Sequence, residues 1–178
     1  ILHLVARSPR NRFVDRFVEG LRRLEGAYAF VGMTNKKLVG ARDPLGIRPL
    51  VIGTLDGCPI LASETCALDI IGAQYVRDVE NGEVIVFDED GVQSHKPFPP
   101  MTARPCIFEY IYFARPDSTL EGRNVYEARQ RIGKVLAEDS QDAADMVIPV
   151  PDSGVPAALG FANQAGIPFE LGIIRNHY

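Results

Sequence analysis

Two short runs carry side chains suited to holding an anion. The first is Pro151-Asp152-Ser153-Gly154, which follows an apolar stretch and precedes a helical pattern. A helix N-terminus presents free backbone N–H groups and the positive end of the helix dipole, so it attracts phosphates. Ser153 adds a hydroxyl there, and Gly154 lets a ligand approach the backbone. Read locally, the run is first an ordinary N-cap before a helix with Pro156 in its first turn. The second run is Ile174-Arg175-Asn176-His177-Tyr178, directly after a strand pattern. Ligands of α/β sheets gather at the carboxyl ends of strands, and arginine suits phosphate and carboxylate groups. Taken alone, this run is a polar loop.

Two further runs read as structural. In Ala41-Arg42-Asp43-Pro44-Leu45-Gly46-Ile47-Arg48-Pro49-Leu50, an Arg-Asp pair enters a Pro/Gly turn and another arginine leaves it. Buried, the pair would need each other, because an unpaired buried charge is costly. In the run from Phe108 to Ser118, read as a strand, alternation sets Tyr110 and Tyr112 on one face and Glu109 and Ile111 on the other. A buried Glu109 then needs a partner, with Arg115 the candidate. His3, His95 and His177 do not space with Cys58, Cys66 and Cys106 as a zinc site would.

The elements that must position these runs change character midway. Phe13, Phe17, Leu21 and Leu24 recur at helical spacing, with Val14 and Val18 beside them, and Gly26 is placed to end that helix. Strands follow at 27–33, 37–42, 50–54, 59–62, 83–88 and 92–95, with a short helix at 64–71. Asp56-Gly57 and Asp90-Gly91 are turn signals, so the strands pair as antiparallel hairpins. Prolines punctuate residues 97–105, which marks a boundary. Beyond it come a strand at 106–113 and a helix capped by Asn124, with Glu127 three residues on. Val125, Ala128, Ile132, Val135 and Leu136 line one face of that helix. A strand at 146–150, a helix at 156–165 closed by Gly166 and a strand at 170–174 make a parallel βαβ unit. That unit has too few strands to bury both faces of a sheet.

Composition limits what such elements can serve. The chain has 178 residues and a formal net charge of -4, with 46% apolar and 24% charged residues. Those are globular proportions, and the acidic balance argues against nucleic-acid coating. No apolar run reaches the roughly 18–20 residues of a membrane span, and no signal peptide is visible. Three widely spaced cysteines fit no disulfide framework, so a cytoplasmic setting is expected.

The run from Ala41 to Leu50, with Ala62-Ser63-Glu64-Thr65-Cys66-Ala67-Leu68, resembles class II glutamine amidotransferase domains of the N-terminal-nucleophile hydrolase type. Asparagine synthetases share both runs loosely. Their pyrophosphate-binding Ser-Gly-Gly loop is not here. Cys106 to Ser118, Val150 to Gly154 and Arg175 to Tyr178, in that order, look like the amidophosphoribosyltransferase family. The resemblance spans nearly the whole chain. It implies an α+β, antiparallel β-rich C-terminal part of an amidotransferase domain over 1–98, a linker over 99–105, and the α/β start of a type I phosphoribosyltransferase domain over 106–178.

The resemblance also implies the activity and its parts. Ammonia released from glutamine would pass to phosphoribosyl pyrophosphate, giving 5-phosphoribosylamine, glutamate and pyrophosphate in purine biosynthesis. No catalytic residue is expected within the chain, because the nucleophilic cysteine should precede Ile1 and the acidic phosphoribosyl loop should follow Tyr178. On that expectation the 178 residues are an internal slice with neither glutaminase nor transferase activity. Arg175, Tyr178 and Asp152 match substrate-binding positions, Ser153 a position near Mg²⁺, and Tyr112 the segment tied to communication between the two sites. Cys106 matches the first ligand of a [4Fe–4S] cluster in the cluster-bearing branch. His177 stands where the family more often has a second basic residue. A homo-oligomer is expected when intact. The alternative is a non-catalytic nucleotide-binding or regulatory module derived from the same family.

Overall fold

The computed structural model describes residues 1–140 and 143–176. The chain divides into two compact units, Ile1–Ser63 with Gly72–Pro105, and Glu64–Ile71 with Cys106–Tyr178. Residues 64–71, which the sequence places with the first part, therefore group with the second.

The first unit layers a helix on two antiparallel sheets. After a short helix α1 (Leu2–Arg7) comes α2 (Phe13–Leu21). Strands β1 (Ala29–Met33), β2 (Leu38–Arg42), β6 (Val84–Asp88) and β7 (Gly91–His95) form one sheet in the order β1-β2-β6-β7. Strands β3 (Val51–Leu55), β4 (Cys58–Ala62) and β5 (Gln74–Asp78) form another in the order β4-β3-β5. Strand alternation sorts the core. Val39, Ala41, Val84 and Val86 meet Phe17 and Leu21 of α2, while Ile85 and Phe87 turn the other way onto Leu50, Ile52 and Val79. The hairpin between β3 and β4 turns at Asp56 (φ 50) and Gly57 (φ 80), a two-residue turn whose twist matches the strands.

Several expectations shift. Helix α2 ends at Leu21, not near Gly26, because Arg23 and Leu24 hydrogen-bond to Gly20 and Leu21 in a tight last turn. Strand β5 had no place in the sequence reading. Its Gln74, Tyr75 and Val76 are all exposed, so it lacks the alternation that marks a half-buried strand. Arg42 and Asp43 each find backbone partners. Arg42 donates to the carbonyls of Arg48, Val79 and Gly46, and Asp43 accepts from the N–H groups of Leu45, Ile47 and Arg48.

The second unit is mostly helical. It holds α3 (Thr65–Ile71), a π-helix over Glu109–Phe113, a two-residue hairpin of β8 (Thr119–Leu120) and β9 (Arg123–Asn124), then α4 (Val125–Asp139) and α5 (Val155–Ala165). The expected strand at 106–113 is thus helical. Apolar density alone does not separate a buried strand from a helix. Tyr110 and Tyr112 accordingly part: Tyr110 turns inward and donates to the carbonyl of Leu120, whereas Tyr112 is 64% exposed. Helix α4 buries Val125, Arg129 and Gly133, while Ile132, Val135 and Leu136 of the expected apolar face are exposed. The strands expected at 146–150 and 170–174 reduce to one parallel bridge between Val147 and Phe169. The parallel sense is as expected. Ile148, Val150, Leu171 and Ile173 are exposed, so no ladder extends from the bridge among the described residues.

Asn124 caps α4 as its position suggests, accepting the Glu127 N–H at 3.1 Å. Asn124→Ala is expected to cost about 1 kcal/mol, read as a lower urea midpoint. No change would show that the cap contributes nothing to this helix.

Candidate functional site

The parallel bridge fixes where the Pro151–Gly154 run and the run after Ile174 begin. Val147 N–H donates to Pro168 O at 2.8 Å and Glu170 N–H to Val147 O at 3.0 Å. Both segments therefore run the same way, and their carboxyl ends lead to Asp152 and Arg175. There the Arg175 guanidinium Nη1 donates to Asp152 Oδ2 at 3.0 Å, although the residues are 23 positions apart. Both side chains are about two-thirds exposed, at 64% and 66%. Ser153 and Gly154 follow, half-buried, and lead into α5. Gly154 takes the N-cap place of α5 without any side-chain cap, and Ala158 N–H closes the first turn onto Gly154 O at 2.9 Å. Helix α5 ends at Gly166 in the left-handed conformation, as expected. Tyr178 and His177 lie outside the described residues.

A second constellation surrounds the π-helix. The Glu64 carboxylate Oε2 accepts the Arg115 N–H at 2.8 Å and the Ser118 hydroxyl at 2.7 Å. Thr65 Oγ1 accepts the Thr119 N–H at 2.8 Å. Arg129, 3% exposed, donates to the carbonyls of Tyr110 and Ala114. These carbonyls lie at the open end of the π-helix, where intrahelical partners run out. Glu109 is buried at 5% exposure, but the Arg115 guanidinium expected beside it grips Asp117 at 2.8 and 3.0 Å instead. Two positions separated by one residue on an exposed turn make that pairing cheaper than sending a charge inside. The roles of Glu64 and Arg129 escaped the sequence reading. The Ala-Ser-Glu run marked Glu64 as a helix start, but its partners lie 51 and 54 residues on.

The cysteines do not gather. Cys106 is half-buried, Cys58 is exposed and Cys66 is buried. Burial pushes the Cys66 thiol up, and the nearby Glu64 and Asp117 carboxylates add to this against the Ser118 contact that lowers it. Among the described residues no group of three or more His, Cys, Asp or Glu side chains could hold a metal ion. A [4Fe–4S] cluster takes four thiolates. Cys106, a half-buried free thiol, would supply one thiolate of such a set. Ser153 offers a hydroxyl, an oxygen donor of the hard kind that Mg²⁺ takes. No helix among the described residues is long and apolar enough to cross a membrane.

Comparison with known proteins aligns with this layout. The family model for the glutamine amidotransferase domain matches residues 1–69. An amidophosphoribosyltransferase of Rhizobium etli is 58% identical over all of this chain and 37% of its own length. That of Bacillus subtilis is 45% identical, again over all of this chain and 37% of the relative. A chloroplastic relative from Glycine max is 52% identical over 32% of its length. The solved glutamine phosphoribosylpyrophosphate amidotransferase of B. subtilis, complexed with ADP and GMP, superposes with a TM-score of 0.94 over 99% of this chain and 39% of that one. The chain thus spans somewhat over a third of these bacterial relatives.

Proposed function

The chain is related along its whole length to amidophosphoribosyltransferases, and on that premise we propose that it serves an enzyme making 5-phosphoribosylamine from phosphoribosyl pyrophosphate and glutamine-derived ammonia in purine synthesis. Residues 1–98 are then the later part of a glutamine amidotransferase domain, 99–105 the linker, and 106–178 the start of a phosphoribosyltransferase domain. A cytoplasmic setting and a homo-oligomer belong to the same reading.

One observation supports it most: the Asp152–Arg175 contact at the carboxyl ends of two parallel segments. In this reading Asp152 and Arg175 stand on the diphosphate side of the site, with the guanidinium as its cation, and Tyr178 is a further substrate-binding residue. Ser153 offers its hydroxyl beside them and is the residue that would hold Mg²⁺. When bound, that ion neutralises charge on the leaving pyrophosphate. Arginine supplies paired N–H donors in a fixed fork, which lysine does not. The glutaminase nucleophile is not assigned to any residue of this chain. Tyr112 and Cys106 stand in the segment 106–118, outside the diphosphate corner.

The reading is tested by titrating the chain with phosphoribosyl pyrophosphate. Wild type is expected to bind, and Arg175→Ala to bind at least tenfold more weakly, the loss of a charge-assisted contact. Absence of binding, or equal binding by the variant, would refute the assignment.

A further inference from the structure

Asp152 and a bound diphosphate want the same cation. The Asp152 carboxylate already sits on Arg175 Nη1 at 3.0 Å. It carries the same sign as the ligand that the guanidinium would attract. A carboxylate next to a diphosphate repels it unless a cation stands between them. Both partners are about two-thirds exposed, so water reaches the pair and it can open without leaving a buried charge.

We propose that Asp152 is an internal competitor for Arg175. Its carboxylate occupies the guanidinium while the site is empty, and a diphosphate must displace it to bind. The proposal rests on reading this corner as a phosphate site, and it changes what Asp152 does there. Asp152 sets how much negative charge a ligand needs to take over Arg175, rather than contacting the phosphates directly. Freed from the pair, the carboxylate turns outward into solvent, where it is already mostly exposed. Ser153 and Gly154 keep their places in the run that enters α5.

The test uses inorganic pyrophosphate without divalent cation, titrated into the full chain. Asp152→Asn keeps the shape and removes the charge. It is expected to bind pyrophosphate about three- to tenfold tighter than wild type, and added salt should narrow the gap. Arg175→Ala should remove most binding in either background. If Asp152→Asn binds no more tightly than wild type, the competitor role is overturned while the phosphate site stands. If the Asp152→Asn/Arg175→Ala pair binds as tightly as Asp152→Asn alone, the gain does not run through Arg175 and the proposal also falls. If neither wild type nor Asp152→Asn binds pyrophosphate, the phosphate-site reading fails and the competitor role fails with it.

Discussion

Arg77→Ala is expected to destabilise the first unit by about 3 kcal/mol, because it strands a buried carboxylate. Glu83 is fully buried and takes both Arg77 terminal nitrogens, at 2.7 and 2.8 Å. The Glu80 N–H and the Ser94 hydroxyl complete its shell at 2.7 Å each. Arg77 itself is 38% exposed, so its own desolvation is small, and the loss falls mainly on Glu83. That exposure places the effect at the low end of the range for broken buried pairs. Arg77→Lys keeps the charge but loses the fork, and should fall between. The exposed Lys96–Glu80 pair is the contrast. Its partners are 60% and 59% exposed, and Lys96→Ala should cost under about 1 kcal/mol. Urea midpoints for the three variants decide the matter. An Arg77→Ala protein as stable as Lys96→Ala would mean that Glu83 is not held by this pair.

The same pair gives a pH dependence. Burial pushes the Glu83 carboxyl up, but Arg77, the Glu80 N–H and Ser94 outweigh it and hold the carboxyl below its usual value of 4.5. A lowered carboxyl stabilises the fold fully above that value, and the contribution disappears as pH falls through the lower folded one. Without Arg77, protonating Glu83 relieves an unpaired buried charge. The gap between wild type and Arg77→Ala should therefore shrink as the pH drops below about 4.5. A gap that widens in acid would contradict the arrangement.

Gly133→Ala should destabilise the second unit by about 3 kcal/mol. A Cβ on Gly133 would stand 1.8 Å from the carbonyl oxygen of Ala157 in α5. Across the same crossing, a Cβ on Gly160 would stand 2.0 Å from Gln130 O. Both obstacles are backbone, which cannot rotate aside as a side chain can. Intrinsic propensity points the other way, since alanine favours a helix over glycine by roughly 1 kcal/mol. Close approach wins because the two helices would have to separate along their whole crossing. Gly32 is the control: it sits in β1 with nothing within 4 Å of the added Cβ, so Gly32→Ala should be nearly neutral. Thermal melts followed by helical circular dichroism separate the outcomes. A Gly133→Ala protein more stable than wild type would show that propensity governs and that the helices are not in close contact.

This crossing also explains a misjudged helix face. Periodicity in α4 points to Ile132, Val135 and Leu136, yet α5 meets the helix on the side of Gln130 and Gly133. A sequence moment weighs side chains by hydrophobicity, and glycine scores near nothing, so it misses a contact made by backbone. The π-helix at Glu109–Phe113 was misread for a related reason. A run of apolar and aromatic residues broken only by Glu109 suits either element, and Arg129 decides for the helix by holding the Tyr110 and Ala114 carbonyls from 15 or more residues away.

By itself the sequence determined what short-range physics decides. The amphipathic spacing of α2, the Asp56-Gly57 hairpin, the Asn124 cap and the Gly166 stop depend on backbone torsion and bonds over a few residues. The order of the motifs was also open to reading, and it pointed to the relatives found. Only the tertiary structure decided which charges meet. Glu64 reaches Arg115 and Ser118, Arg77 meets Glu83 across a turn, and Asp152 closes on Arg175. A carboxylate accepts any nearby donor, so its type names no partner. The choice falls to whichever donor the packed elements bring within hydrogen-bond reach.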